Sequence, residues 1–238
     1  MPSTNLSSST VKNPTLTVSG TQTYTVTVTA PGTGCTATDQ VTITAFPQIN
    51  ADAGADQTIC SLQSIQIGGT SSGGTAPLTY AWDNGATLTN TSIQNPIANP
   101  TSTTTYTLTV TDNNGCTETD QMTITINSLP TADAGADQTI CEGESIQIGT
   151  PSIAGETYAW DNAASLDDNT LAQPTANPVV TTTYTVTVSN GNGCTDTDQM
   201  TITVNPAPNL DAGPDQTICD GESVVIGGSP TSSTAGVS

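Results

Sequence analysis

Two residue types in this chain have the spacing to do chemistry, cysteine and aspartate. Six cysteines stand at Cys35, Cys60, Cys116, Cys141, Cys194 and Cys219, with no CxxC spacing and no histidine anywhere. That pattern excludes the usual zinc sites and points to disulfides. Aspartates come in pairs, Asp52 with Asp56, Asp133 with Asp137 and Asp211 with Asp215, while Asp39, Asp120 and Asp198 each open a strand-like run. Clustered carboxylate oxygens suit Ca²⁺, so the six paired aspartates are candidate calcium ligands that would stiffen junctions between domains. The competing reading is a solvated acidic surface that keeps the chain soluble. Two carboxylates also perform glycoside hydrolysis. Here, however, the same acids recur in every repeat at strand ends, which suits architecture rather than a single active site. No catalytic residue is assigned, and the chain is expected not to be an enzyme.

These residues are positioned by a long internal repeat. Residues 52–60 and 133–141 both read DAGADQTIC, and 211–219 read DAGPDQTIC, so the motif recurs after 81 and then 78 residues. GCT at Cys35, Cys116 and Cys194 keeps the same spacing. TTTYT recurs at Tyr106 and Tyr184, and YAWDN at Tyr80–Asn84 and Tyr158–Asn162. A fixed period of this length means an array of small domains. Two repeats are whole, 48–129 and 130–207; residues 1–47 carry the back part of a repeat and 208–238 the front part. Leu6 aligns with Leu88, and Ser238 stands twelve residues after Ile226 as Thr79 does after Ile67. Joining the tail of one chain to the head of the next would therefore omit only a Tyr-x-Trp. Two expectations follow: head-to-tail assembly with copies of itself, or a window of a longer repeat protein.

Within each repeat the signals are those of strands. Tyr24–Thr29, Tyr106–Thr111 and Tyr184–Ser189 alternate apolar with polar β-branched residues, which predicts strands with Tyr, Val or Leu, and Val facing inward. After the turn signals Asn113-Asn114-Gly115 and Asn190–Gly193 come the second alternating runs, Met122–Ile126 and Met200–Val204, so a hairpin closes each repeat. In the front half, Gln138–Cys141, Ile146–Ile148 and Tyr158–Trp160 read as short strands. Tyr80, Trp82, Tyr158 and Trp160 fall on the inward face and read as packing. About seven short strands with a core Trp on the third predict an all-β chain of tandem immunoglobulin-like β-sandwiches.

Composition removes several functions. There are 21 acidic residues against one cation, Lys12, giving a formal charge of −20. Nucleic-acid binding needs basic residues to displace phosphate counterions, and an anionic membrane surface would repel the chain. The opening residues contain no signal peptide or membrane-spanning run. Repeats of this size are small for a self-sufficient core, so staples or neighbour contacts are expected. Paired cysteines in such domains place the protein in an oxidising, extracellular location.

The strings DAGADQTICEGESIQIG, YAWDN and TTTYTVTVSNGNGCTDTDQMTITV resemble the PKD-like and Ig-like repeats of very long secreted surface proteins of Bacteroidota. Those proteins include gliding-motility adhesins and other cargo of type IX secretion. The resemblance spans nearly the whole chain and implies a cell-surface location. The C-terminal sorting domain of that group is absent from these residues.

Two cysteine schemes follow from a sandwich. One pairs within a repeat, Cys60 with Cys116 and Cys141 with Cys194, leaving Cys219 for Cys35 of the next chain. The other staples neighbours, Cys60 with Cys194, then Cys141 to Cys35 and Cys219 to Cys116 of the next chain. The function expected is an extracellular stalk or filament on a bacterial surface. The alternative is an adhesin segment gripping a surface glycan or protein through its loops, which differ between repeats at Ser71–Pro77 and Ser152–Glu156.

Overall fold

The computed structural model describes residues 6–208 and 210–228; the alignment at Ser238, with the rest of the 208–238 piece beyond Gly228, falls outside the described residues. Contacts divide the chain into two units, with the boundary between Asn127 and Ser128. Each contains one whole repeat.

The first whole repeat begins with β3 (Ile49–Asn50), β4 (Gln57–Cys60), β5 (Ile65–Gln66), β6 (Ser72–Gly73) and β7 (Thr79–Trp82). It continues through β8 (Ile97–Ala98), β9 (Thr104–Thr111) and β10 (Thr117–Asn127). The main sheet has the order β4-β10-β9-β7. Antiparallel pairing of β9 with β10 sets Tyr106 opposite Met122, and β7 adds antiparallel on the other side of β9. β4 instead runs parallel to the end of β10, with Gln57 opposite Ile124 and Cys60 opposite Asn127. The facing layer is thin, a two-residue ladder of β5 with β8 plus irregular backbone. Alternation does what the sequence predicts. Tyr106, Leu108 and Val110 of β9 are wholly buried, with Met122 and Ile124 from β10, Ile59 from β4, and Trp82 from β7.

The second whole repeat copies this plan. Its elements are β11 (Gln138–Cys141), β12 (Ile146–Gln147), β13 (Glu156–Trp160), β14 (Thr175–Ala176), β15 (Thr182–Asn190) and β16 (Thr195–Asn205). The main sheet is β11-β16-β15-β13, again with a parallel first strand. Tyr184, Val186, Val188, Met200, Ile202 and Trp160 fill its core.

Two polar devices hold each core in shape. The indole N–H of Trp82 donates to the Ile93 carbonyl at 3.0 Å, and that of Trp160 to Leu171 at 3.0 Å. The Tyr106 hydroxyl bonds Thr87 Oγ1 and the Tyr184 hydroxyl bonds Ser165 Oγ, both at 2.7 Å. Thr87 and Ser165 close single 3-10 turns, Gly85–Thr87 and Ala163–Ser165. The turns are launched by Asn84 and Asn162 in the left-handed region, where asparagine is at home. A glycine is required at Gly68, φ +97°, where a Cβ would collide with the Gln94 carbonyl.

The N-terminal part is a lone hairpin, β1 (Gln22–Thr29) with β2 (Thr36–Ile43), in the same register: Tyr24 lies opposite Val41 as Tyr106 lies opposite Met122. Here the expected inward face is not covered. Val26 is 58% exposed and Val28 63%. Alternation gives a strand an apolar face, but burial of that face requires a second layer, and no described strand lies over β1 and β2. The residues after Pro208 form no assigned strand among those described.

Candidate functional site

The cysteines sit at opposite ends of each sandwich. Cys60 ends β4 and pairs in register with Asn127, the last residue of β10, whereas Cys116 immediately precedes Thr117, its first. Eleven residues of strand separate the two ends, roughly 36 Å. Cys141 and Cys194 have the same relation, because Cys141 lies opposite Asn205 and Cys194 precedes Thr195. A disulfide needs Cα atoms within about 7 Å. The within-repeat scheme is therefore corrected: strand direction holds its partners apart. Cys60 and Cys194 are each in a disulfide, while Cys35, Cys116, Cys141 and Cys219 are free thiols.

The aspartates act as acceptors for backbone amides. Asp52 takes Gly54 N–H on Oδ1 at 3.0 Å and Thr70 N–H on Oδ2 at 2.8 Å. Asp56 takes Thr123 N–H and Asp137 takes Thr201 N–H, each at 2.8 Å. Each of those two bonds ties the loop before the first strand to the last strand. From the opposite side, Asp120 accepts the amide of buried Ala53, and Asp198 that of buried Ala134, both at 2.8 Å. Asp133 and Asp211 each accept the glycine amide two residues on, Gly135 at 2.9 Å and Gly213 at 2.8 Å. Charge-assisted bonds of this kind exceed neutral ones in strength. Among the described residues no three acidic or cysteine side chains are gathered into a group that could hold a metal ion.

Sequence reasoning missed several acceptors. Asp83 and Asp161, inside the YAWDN motif, accept Thr107 N–H at 2.7 Å and Thr185 N–H at 2.8 Å, joining the 3-10 turn to the sheet. Their recurrence within that motif was the available signal. Asp112 is buried in the β9–β10 turn and accepts the amides of Thr75, Asn114 and Cys116 at 2.9 Å each. Burial pushes its carboxyl up, but these amides and the Asn114 side chain outweigh that and hold it below the ordinary value. The second repeat has Asn190 there, accepting Asn192 and Cys194 amides and donating to the Ser128 carbonyl at 2.8 Å. Asp167 is lowered first by the Thr175 amide, and Asp168 first by the Thr170 hydroxyl.

Each partial repeat leaves apolar residues exposed. At the base of the hairpin a cleft of about 420 Å³ lies among Val18, Ala45, Phe46 and Pro47. On the C-terminal piece, Ile218, Val224, Val225 and Ile226 are exposed, Val225 by 90% and Ile226 by 80%. Their counterparts in the first whole repeat are Ile59, Ile65, Gln66 and Ile67, of which Ile67 is 2% exposed.

These sheets and cores define a tandem array of immunoglobulin-like β-sandwiches. No family model matches the chain, and no curated protein is similar to it. Solved structures similar to it include immunoglobulin-domain proteins and a surface polysaccharide-binding protein. A three-domain titin variant (I67–I69) is 12% identical with a TM-score of 0.40, over 86% of this chain and 84% of that one. A SusE-like surface-located polysaccharide-binding protein from the heparin utilisation locus of Bacteroides thetaiotaomicron is 14% identical with a TM-score of 0.39, over 77% of this chain and 43% of that one. The insect immune protein hemolin is 12% identical with a TM-score of 0.37, over 77% of this chain and 56% of that one. Among the described residues no helix is long and apolar enough to cross a membrane.

Proposed function

We propose that this chain is a segment of an extracellular stalk or filament at a bacterial surface, built from immunoglobulin-like sandwiches end to end and continued head to tail by further copies. The observation that carries this reading is the recurrence of one sheet plan and one core in two consecutive whole repeats. The role is mechanical. The carboxylates bind backbone amides of their own repeats, and short junctions such as Asn205-Pro206-Ala207-Pro208 restrict bending. Disulfides staple neighbours, Cys60 with Cys194 along the chain, Cys141 with Cys35 and Cys219 with Cys116 of the next copy. Supporting this map, Cys60 and Cys194 are the two bonded cysteines, and the other four are those assigned to joints between copies.

Electron microscopy with paired gels tests it. Fibres that resist SDS without reductant and fall to single chains with it are expected. Isolated monomers with free thiols at Cys35 and Cys219 would overturn the reading.

A second reading, an adhesin segment, draws on the differing loops. In the first repeat β6 pairs with β3 and Thr75 N–H binds Asp112, whereas in the second Ile153 is 55% exposed and its amide binds the Tyr158 hydroxyl. A glycan-array signal that follows the second repeat's loop, and disappears when that loop is replaced by the first's, would favour it.

A further inference from the structure

Asp112 and Asn190 occupy one position in the two whole repeats, four residues before the cysteine of the GCT motif. Both use one oxygen alike. Asp112 Oδ1 accepts the amides of Asn114 and Cys116, each at 2.9 Å. Asn190 Oδ1 accepts those of Asn192 at 3.0 Å and Cys194 at 3.1 Å. The second side-chain atom differs, and so does the group that faces it. Asp112 Oδ2 accepts the Thr75 amide at 2.9 Å, whereas Asn190 Nδ2 donates to the Ser128 carbonyl at 2.8 Å. A carboxylate meets a donor and a carboxamide meets an acceptor.

Both contacts lead to the segment by which the chain enters its repeat. Ser128 belongs to that segment, ahead of β11. Thr75 reaches it through its own loop. Asn113 N–H binds the Thr75 carbonyl at 2.9 Å, and Gly74 N–H binds that of Gln48 at 3.0 Å. Ile49 and Asn50 then pair with Gly73 and Ser72, and Ser71 Oγ accepts the Asp52 amide at 3.1 Å. The loop lies over the buried Ile49, because a Cβ placed on Gly74 would meet Ile49 Cγ1. Among the described residues the second whole repeat has no counterpart of β3 or β6.

We infer that this hairpin residue latches the entry segment of each whole repeat, and that acid opens the latch of the first and not that of the second. Every partner of the Asp112 carboxylate is a donor: three backbone amides and, at 3.5 Å, the Asn114 side-chain amide. A proton on either oxygen displaces one of them. The segments packed around it, 48–50, 71–78 and 113–116, carry no charge and one titratable side chain, the Cys116 thiol. Tyr80 and Glu118 stand farther along the sheet, each opposite Val110. The folded value of Asp112 lies below the ordinary 3.8, so the latch is intact above that pH and is lost as pH falls through the folded value. Asn190 has no proton to gain there. Residues 48–50, once released, lengthen the linker ahead of β4 by up to about 3.5 Å each.

Residue-resolved amide exchange on the full chain tests the latch. Protection of Gly74 and Thr75 should fall about tenfold or more between pH 6 and pH 2, the scale of a lost bond to a charged group. Leu108, in the core of the same repeat, should keep its protection, which separates local opening from unfolding. The Asn190 side-chain amide should stay protected at both pH values relative to that of exposed Asn113. Asp112→Asn turns an Nδ2 toward the Thr75 amide, so Gly74 and Thr75 should exchange fast even at pH 6. Asn190→Asp sets a carboxylate oxygen against the Ser128 carbonyl and should lower protection of Ala132 at pH 6 while leaving Gly74 as it was. Gly74 and Thr75 equally protected at both pH values, or undiminished in Asp112→Asn, would overturn the latch. Loss of Leu108 protection in step with theirs would show the whole repeat unfolding and overturn it as a local device. Loss of Asn190 protection in acid would overturn the contrast between the repeats.

Discussion

The β1–β2 hairpin and the β9–β10 hairpin share a sequence pattern, a register and their threonine and glutamine cross-strand bonds, yet one exposes its valines and the other buries their counterparts. Val26 is 58% exposed and Leu108 is 0% exposed at the same position of the pattern. The difference lies outside the hairpin. β9–β10 is flanked by β4 and β7 and faced by β5 and β8, while no such strands flank or face β1–β2 among the described residues. Local pairing therefore forms the ladder, and non-local layers form the core.

Substitutions break this comparison most sharply in the core. Leu108→Ala should destabilise the first whole repeat by about 2–5 kcal/mol, through lost burial and the cavity left behind. Val26→Ala on dilute, unassembled chain should change stability by less than about 0.5 kcal/mol. Urea unfolding followed by Trp82 and Trp160 fluorescence measures both, and similar costs at the two sites would mean that the hairpin is covered in solution. Next come the carboxylates that tie the opening loop of a repeat to its last strand. Asp120→Ala leaves the buried Ala53 amide unpaired and should cost about 1–3 kcal/mol, whereas Asp39→Ala, which loses a bond only to its neighbour Gln40, should cost little.

Acid sharpens a different contrast, between the two whole repeats. Asp112 has a folded value held below its ordinary 3.8, so it contributes stability above that pH and loses it as pH falls through the folded value. Asn190 does not titrate at the matching position. Unfolding midpoints between pH 7 and pH 2 should fall less steeply in Asp112→Asn than in the unsubstituted chain, and equal slopes would remove Asp112 from the account. The smallest effect should be that of calcium. Asp52, Asp56, Asp133 and Asp137 already accept backbone amides. Calcium in excess, followed by chelation, is expected to leave the thermal midpoint where it was.

Much of this fold can be read in the chain because its rules are local. Period-two alternation from Tyr106 to Thr111 places a strand and chooses its buried face, and the turn residues after it place a hairpin. The indoles of Trp82 and Trp160 are buried as their alternation predicts, with Tyr80 and Tyr158 packed at the core margin. The parallel seating of β4 on β10 is not legible in this way, because its four rungs join residues 67 apart and no local pattern names the partner. For the same reason the sequence left two disulfide schemes open: the choice depends on which end of which strand Cys60 reaches. The aspartates were legible as repeated and acidic, but not as acceptors for Thr123, Thr201, Ala53 and Ala134, which lie 64 or 67 residues away. The absence of cover over Val26 and Val28 was likewise invisible, since alternation specifies a face without specifying its neighbour.

The parallel seam has a consequence for force. Tension along the chain enters a repeat at the start of β4 and leaves at the end of β10. Because those strands run side by side in the same direction, opposite pulls slide one along the other. All four rungs of the seam, together with the Asp56–Thr123 and Asp120–Ala53 bonds, are then strained at once in shear. An antiparallel seam pulled from one shared end would instead open rung by rung. The seam and the two carboxylate bonds that close the first whole repeat are thus loaded together when it is pulled along its own chain.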